Sequence, residues 1–219
     1  MSRNPYQISD KAVERITKKL SREFRHNRLA LFDELNVTGV RKHIKKLYKK
    51  AFEIIKTNFV EVLNDIAAEV YDEAVALGFD GNIEDLDKAW IEEFFDEYNP
   101  VTKYVFSNEI GRKESYLFEA IVADTALRHQ SYLKAERLLA NQVKQGGIDM
   151  DDAVAKTVYK AVGVKRVQWI AEDDAKTCFV CRELDKQIFD LDKAPHKQHH
   201  NCRCYLLPVR DEINGREAE

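Results

Sequence analysis

Val40-Arg-Lys-His-Ile44-Lys-Lys-Leu47-Tyr-Lys-Lys-Ala51-Phe-Glu-Ile54 sets its apolar side chains at steps of four, three, four and three. That spacing keeps one face of an α-helix apolar. After a shift of one residue the stripe resumes at Ile55, Phe59, Val62 and Ile66. After a second shift it continues at Val70, Ala74 and Leu77. Such drift is what 3.6 residues per turn produce against a strict heptad. No Pro or Gly intervenes between Val40 and Gly78, so the pattern predicts one helix over about 39–77, roughly 55–60 Å long. The helix starts basic (Arg41, Lys42, Lys45, Lys46, Lys49, Lys50) and ends acidic (Glu61, Asp65, Glu69, Asp72, Glu73). The helix dipole prefers the opposite order, which points to a partner or a neighbouring helix as the selector of these charges.

Upstream, Val13, Ile16, Leu20, Phe24 and Leu31 predict an amphipathic helix over 10–30. Its other face carries Lys11, Arg15, Lys18, Lys19, Arg22 and Arg25. A break follows at Asn36 to Gly39, with Thr38 as the expected N-cap. Downstream, Gly78 and Gly81 end the long helix and Asn82 is placed to cap the next. The apolar side of that helix is Leu86, Trp90, Ile91, Phe94, Phe95 and Tyr98, and Asn99-Pro100 stops it. Residues 101–112 are ambiguous. A third long helix is expected over about 113–145, with Leu117, Ala120, Ile121, Leu127, Ala135 and Leu138 inward and Gly146-Gly147 as its end. A short helix capped by Asp149 or Asp151 holds Ala153, Val154, Thr157, Val158 and Ala161. After Gly163 the period changes to two. Val167, Trp169 and Ala171 alternate with their neighbours as in a strand, and 187–189 and 205–209 are two further short strands. Pro208 confines the last of these to an edge or a strand end.

The bulk numbers fit this outline. The chain has 219 residues, enough for one large domain or two small ones. It is 44% hydrophobic and 33% charged, so a core can form under a charged surface. No apolar run approaches a membrane span and no apolar signal core opens the sequence, so the expectation is a soluble protein made in cytoplasm with no membrane partner. The net charge of -3 conceals a polarity along the chain. Residues 1–50 hold 14 Lys+Arg against 5 Asp+Glu, whereas residues 51–100 hold 2 against 14. Two contact surfaces of opposite sign, or helices whose charges face each other, both account for this.

All four cysteines lie in one late run: Cys178-x2-Cys181, then His196, His199 and His200, then Cys202-x-Cys204. In a reducing compartment this favours a metal over disulfides. Zinc takes four tetrahedral ligands from Cys and His, and a Cys-x2-Cys pair reaches one ion from a tight turn. The first choice of ligands is Cys178, Cys181, His199 and Cys202, with Cys204 as a close substitute for His199 and His196 a weaker candidate. Disulfides and packing thiols are the alternatives. The surplus of donors closes the shell, so a zinc here is structural. No His follows residue 200 to complete a histidine–metal nuclease site. No single thiol stands out as a nucleophile, and there is no Walker-type loop or dinucleotide fingerprint. The expectation is therefore a protein that is not an enzyme.

Trp169-Ile-Ala-Glu-Asp-Asp174-Ala-Lys-Thr177-Cys178-Phe-Val-Cys181-Arg-Glu-Leu184-Asp185, then Pro195, His199-His200-Asn201-Cys202-Arg203-Cys204 and Pro208-Val209, resembles the phage Mu F-like minor head protein family, also called head morphogenesis proteins. The chain departs from that pattern at Lys186, where Gly is usual, and at His200, where Pro is usual. Ala120-Ile-Val-Ala-Asp124-Thr125 looks like the family's helix upstream of the Trp. The resemblance covers about residues 110–210, and residues 1–100 carry no motif of the family. Taken with the charge pattern, the expected organisation is a charged helical arm or stalk over 1–100 followed by a Mu F-like head morphogenesis module over 101–219. The expected fold class is α+β, predominantly α: long N-terminal helices, then a small α+β module with a short β-sheet and a Cys/His cluster. The resemblance further implies a minor capsid component of the virion, assembled in a host bacterium with portal and with major capsid or scaffold proteins, and in some members contacting packaged DNA. The basic residues Lys11, Arg15, Lys18, Lys19, Arg22, Arg41, Lys42, Lys45, Lys46 and Lys49 fit such a DNA or portal contact. The alternative is a zinc-stabilised nucleic-acid-binding module, and behind it a metal-dependent nuclease.

Overall fold

The structure, a computed structural model, describes residues 5–34, 36–99, 103–172 and 177–210, with only the backbone of Tyr104. The expected Asp174 and the Pro100 stop lie outside the described residues. The fold is α+β and predominantly α. The helices are α1 (Gln7–Asp33), α2 (Val37–Ala76), α3 (Lys88–Asp96), α4 (Phe106–Ala123), α5 (Arg128–Ala161) and α6 (Phe179–Leu184). A two-residue pair, β1 (Tyr98–Asn99) and β2 (Tyr104–Val105), precedes α4. A second, antiparallel sheet has the order β4 (Ile188–Asp190), β3 (Arg166–Ile170), β5 (Tyr205–Val209). The chain divides into two compact units. One comprises Gln7–Val62 and Asp87–Gly147, the other Met1–Tyr6, Leu63–Leu86 and Ile148–Glu219, so each draws on both sides of residue 100.

In the first of these units the predicted stripes become core. Ile16, Leu20 and Phe24 of α1 and Ile44, Leu47, Ala51, Ile55 and Phe59 of α2 are buried. Phe95 of α3 is ringed by Phe52, Phe59, Phe94 and Phe106 at centroid distances of 5.6, 6.1, 5.4 and 4.9 Å. Such ring pairs add about 0.5–1.5 kcal/mol each beyond their buried area, which fixes a helix of only nine residues.

Several local expectations are corrected. Asn36, not Thr38, caps α2: its Oδ1 accepts the Thr38 N–H at 2.9 Å. Asp87, not Asn82, caps α3, its Oδ1 accepting the Trp90 N–H at 3.0 Å. Leu86 stays outside that helix, its N–H held by Asn64 Oδ1 at 2.8 Å, and Tyr98 lies in β1. The third long helix is two helices. Asp124 Oδ1 accepts the N–H groups of Ala126 and Leu127, ending α4 and leaving Leu127 exposed. On α5 it is Leu139, not Leu138, that is fully buried. Gly146-Gly147 does not end α5, and the expected short helix is its continuation to Ala161. A Cβ on Gly146 would lie 2.8 Å from the Phe106 ring, and one on Gly147 would lie 2.7 Å from a Val13 methyl. These glycines serve close packing inside a helix, a role that looks like a stop signal in sequence.

In the other unit, β3 is the central strand. Val167 and Trp169 are buried, as the alternation predicted, and Pro208 faces Val167 from the edge strand β5. Tyr159 of α5 donates its hydroxyl hydrogen toward the Leu206 carbonyl, 3.1 Å away, and so ties the helix to that edge strand. Lys186 adopts a left-handed backbone (φ 64) between α6 and β4, at the position where the resembled family carries Gly.

Candidate metal centre

The two halves of the cluster come from the first turn of α6 and from a loop, both in this second unit. Cys178 caps α6, its Sγ accepting the Cys181 N–H at 3.4 Å as a Ser oxygen would. This turn aims both thiols at one point. The other half lies in irregular chain ahead of β5. There Asn201 takes the left-handed conformation (φ 59) that Asn tolerates, and the Cys202 N–H reaches the His199 carbonyl at 3.2 Å. The turn brings Cys202 back beside His199.

The five predicted donors fall into two groups of three that share Cys181. Cys178, Cys181 and His199 form one group and Cys181, Cys202 and Cys204 another, with all ligand atoms in each group within 4.8 Å of one another. Cys181 Sγ belongs to both. It lies 3.6 Å from Cys202 Sγ and 3.7 Å from His199 Nε2. All four cysteines are free thiols, and no disulfide links them. His199 Nδ1 sits 3.0 Å from the His200 carbonyl. A carbonyl there requires the proton on Nδ1, which leaves the Nε2 lone pair facing Cys181, the orientation a metal-bound imidazole needs. The His196 and His200 rings are exposed and belong to neither group; His200 contributes its carbonyl.

The thiols do not ionise alike. Burial pushes the Cys181 thiol up to about 12. A hydrogen bond from Cys204 pulls Cys202 down to about 4, and the same bond holds the Cys204 proton in place. Buried sulfurs in mutual contact cannot all ionise unless a positive ion sits among them. The donor set can therefore hold a metal ion, and thiolate with imidazole suits soft and borderline ions.

Beside the cluster is a buried polar network that the sequence reading missed. Lys197 is 6% exposed, and its ammonium donates to the Cys204 carbonyl and, at 2.9 Å, to the Tyr6 hydroxyl. It pairs with Asp152 at 3.3 Å. Burial works against the charge on Lys197, but Asp152 and Tyr6 outweigh it and hold the ammonium above the usual lysine range. A lysine in a hydrophilic run carries no local sign of burial, and Tyr6 lies 191 residues away from it.

The ten predicted basic residues are all exposed. Lys19, Arg22, Lys46 and Lys49, joined by Lys50, line adjoining pockets between α1 and α2 that also include Glu23 and Glu53. Lys11, Arg15, Lys18, Arg41, Lys42 and Lys45 do not line them. Lys18 is paired with Glu14 at 2.6 Å, and the Arg41 guanidinium covers the Phe118 ring at 3.8 Å. No protein-family model matches the chain, and neither a curated protein nor a solved structure matches it.

Proposed function

We propose that the chain is a minor head protein of a phage, a structural component of the virion that acts in head assembly at or near the portal, and that one structural zinc ion staples its Cys/His module. The observation that carries the reading is the module itself. The motif residues that suggested the family lie at the centre of this unit: Trp169 buried on the central strand, Pro208 on the edge strand, and the cysteines and His199 between them; Lys186, a departure from the motif, still takes the left-handed turn that suits the family's Gly.

Zinc fits the donor set. Tetrahedral bonds near 2.3 Å put neighbouring ligand atoms about 3.8 Å apart. The Cys181–Cys202 and Cys181–His199 separations of 3.6 and 3.7 Å agree. The two three-donor groups share Cys181, and a zinc that takes its fourth ligand from the neighbouring group has no position left for a reactive water, so the proposed zinc holds the fold without catalysis. The partners are portal and major capsid or scaffold proteins. The basic groove between α1 and α2 supplies a contact for packaged DNA through phosphate, without sequence specificity.

Two measurements test this. Purified protein should co-sediment with portal or procapsid, and absence from virions and procapsids alike would sink the assembly role. Metal analysis under reducing conditions should return one zinc per chain. No metal, with all four thiols blocked to alkylation until reduction, would replace zinc by disulfides. The convergence of Lys and Arg on one groove favours a second reading, a zinc-stabilised nucleic-acid-binding module without a capsid role. Salt-sensitive DNA retention by the full chain, with no association to portal or procapsid, would select it.

A further inference from the structure

The segment that carries His199, Cys202 and Cys204 also holds Tyr6. Tyr6 is 1% exposed, and its hydroxyl donates to the Cys204 carbonyl at 2.8 Å while accepting from Lys197 Nζ at 2.9 Å. The Arg203 guanidinium lies 4.5 Å from the Tyr6 ring centroid. Between the 3-10 turn ending at Lys193 and β5 starting at Tyr205, this segment belongs to no helix or strand. Its order must come from what pins it from outside. Cys204 is pinned twice: its Sγ belongs to the metal-donor group, and its carbonyl belongs to Tyr6 and Lys197.

We propose that Tyr6 is a positioning residue for the metal centre, its hydroxyl and the Lys197 ammonium clamping the Cys204 carbonyl so that metal binding and docking of Tyr6 are one coupled equilibrium. The proposal rests on the metal reading of the preceding subsection. Groups that orient a ligand from outside the coordination shell change metal affinity by about 10–100-fold when removed. Linkage is reciprocal, so whatever factor Tyr6 contributes to metal binding, the metal returns to Tyr6 docking. The cluster then acts as a latch that favours docking of Tyr6 on the module while the ion is bound.

The test uses the full chain loaded with zinc. Chelator competition compares the native protein with Tyr6→Phe and with Tyr71→Phe. The second variant is the control: it deletes a hydroxyl that donates to the Gly81 carbonyl at 3.1 Å in the same unit and touches no donor. Tyr6→Phe keeps the ring and is expected to weaken zinc binding about tenfold, with Tyr71→Phe unchanged. In parallel, hydrogen exchange follows the peptide spanning residues 5–12 before and after chelation, with a peptide from the middle of α2 reporting that the fold persists. Deuterium uptake in the first peptide is expected to rise on zinc removal. Unaltered affinity in Tyr6→Phe, or N-terminal protection that survives removal of a stoichiometric zinc, overturns the coupling and leaves the metal reading standing. Failure of the native chain to bind zinc at all overturns both.

Discussion

Gly146 and Gly111 both lie inside helices, yet replacing each by Ala should move stability in opposite directions. Ala gains about 1 kcal/mol over Gly at a helix interior, and that gain is common to both sites. At Gly111 of α4 nothing lies within 4 Å of the new methyl, so the full gain of about 1 kcal/mol should appear. At Gly146 of α5 the methyl meets two Phe106 ring carbons at 2.8 and 3.3 Å. That ring is 5% exposed and stands 4.9 Å from Phe95, itself buried among other rings, so it has nowhere to retreat. Overpacking of this kind costs about 1–3 kcal/mol. Set against the helix gain, Gly146→Ala should come out about 1 kcal/mol less stable than the native protein. The two variants then differ by about 2 kcal/mol. With a urea slope of about 2 kcal/mol/M this separates their midpoints by about 1 M in a titration followed by far-UV circular dichroism. If Gly146→Ala is stabilised as much as Gly111→Ala, the claim that close approach of Phe106 explains the glycine is wrong.

Three further outcomes are expected. Lys186→Gly removes a left-handed backbone cost of about 1–2 kcal/mol and adds about 0.5–1 kcal/mol of chain entropy, so the thermal midpoint should rise; a fall would refute the turn's strain. For Asp152, burial pushes the carboxyl upward, but Lys197 and Lys156 outweigh it and hold the group below the usual carboxylate range. A depressed folded-state pKa contributes stability that is complete above the unfolded value near 4 and is lost as pH falls through the folded one. The destabilisation of Asp152→Asn relative to the native chain, about 3 kcal/mol for breaking a buried pair, should be full at pH 7 and shrink below about pH 4; a pH-independent difference in chemical denaturation would count against the pair. For the groove, replacing Lys46 and Lys49 together by Ala should lower the slope of log affinity for duplex DNA against log salt by about 2, and an unchanged slope would move any DNA contact elsewhere.

Most elements of the fold were legible from periodicity alone. The stripes at 13–31 and 40–74 lie on α1 and α2, while Leu77 falls past the end of α2 and is exposed; Val167 and Trp169 lie on β3, which ends before Ala171, and the proline of β5 foretold an edge strand. The Cys/His clusters were legible too, because Cys-x2-Cys and His-x2-Cys spacings are local geometry written in turns of three or four residues. Helix ends were less legible. Gly and Asn act as stop and cap signals only where no tertiary contact claims them, and Phe106 and Val13 claim Gly146 and Gly147. The tertiary structure alone decided which units the helices serve, since α2 and α5 each contribute residues to both. It alone placed Tyr6 on the Cys204 carbonyl and buried Lys197 against Asp152. Those contacts span 198 and 45 residues of chain, and no pattern in a local window records them, because their energy comes from desolvated partners that only folding brings together.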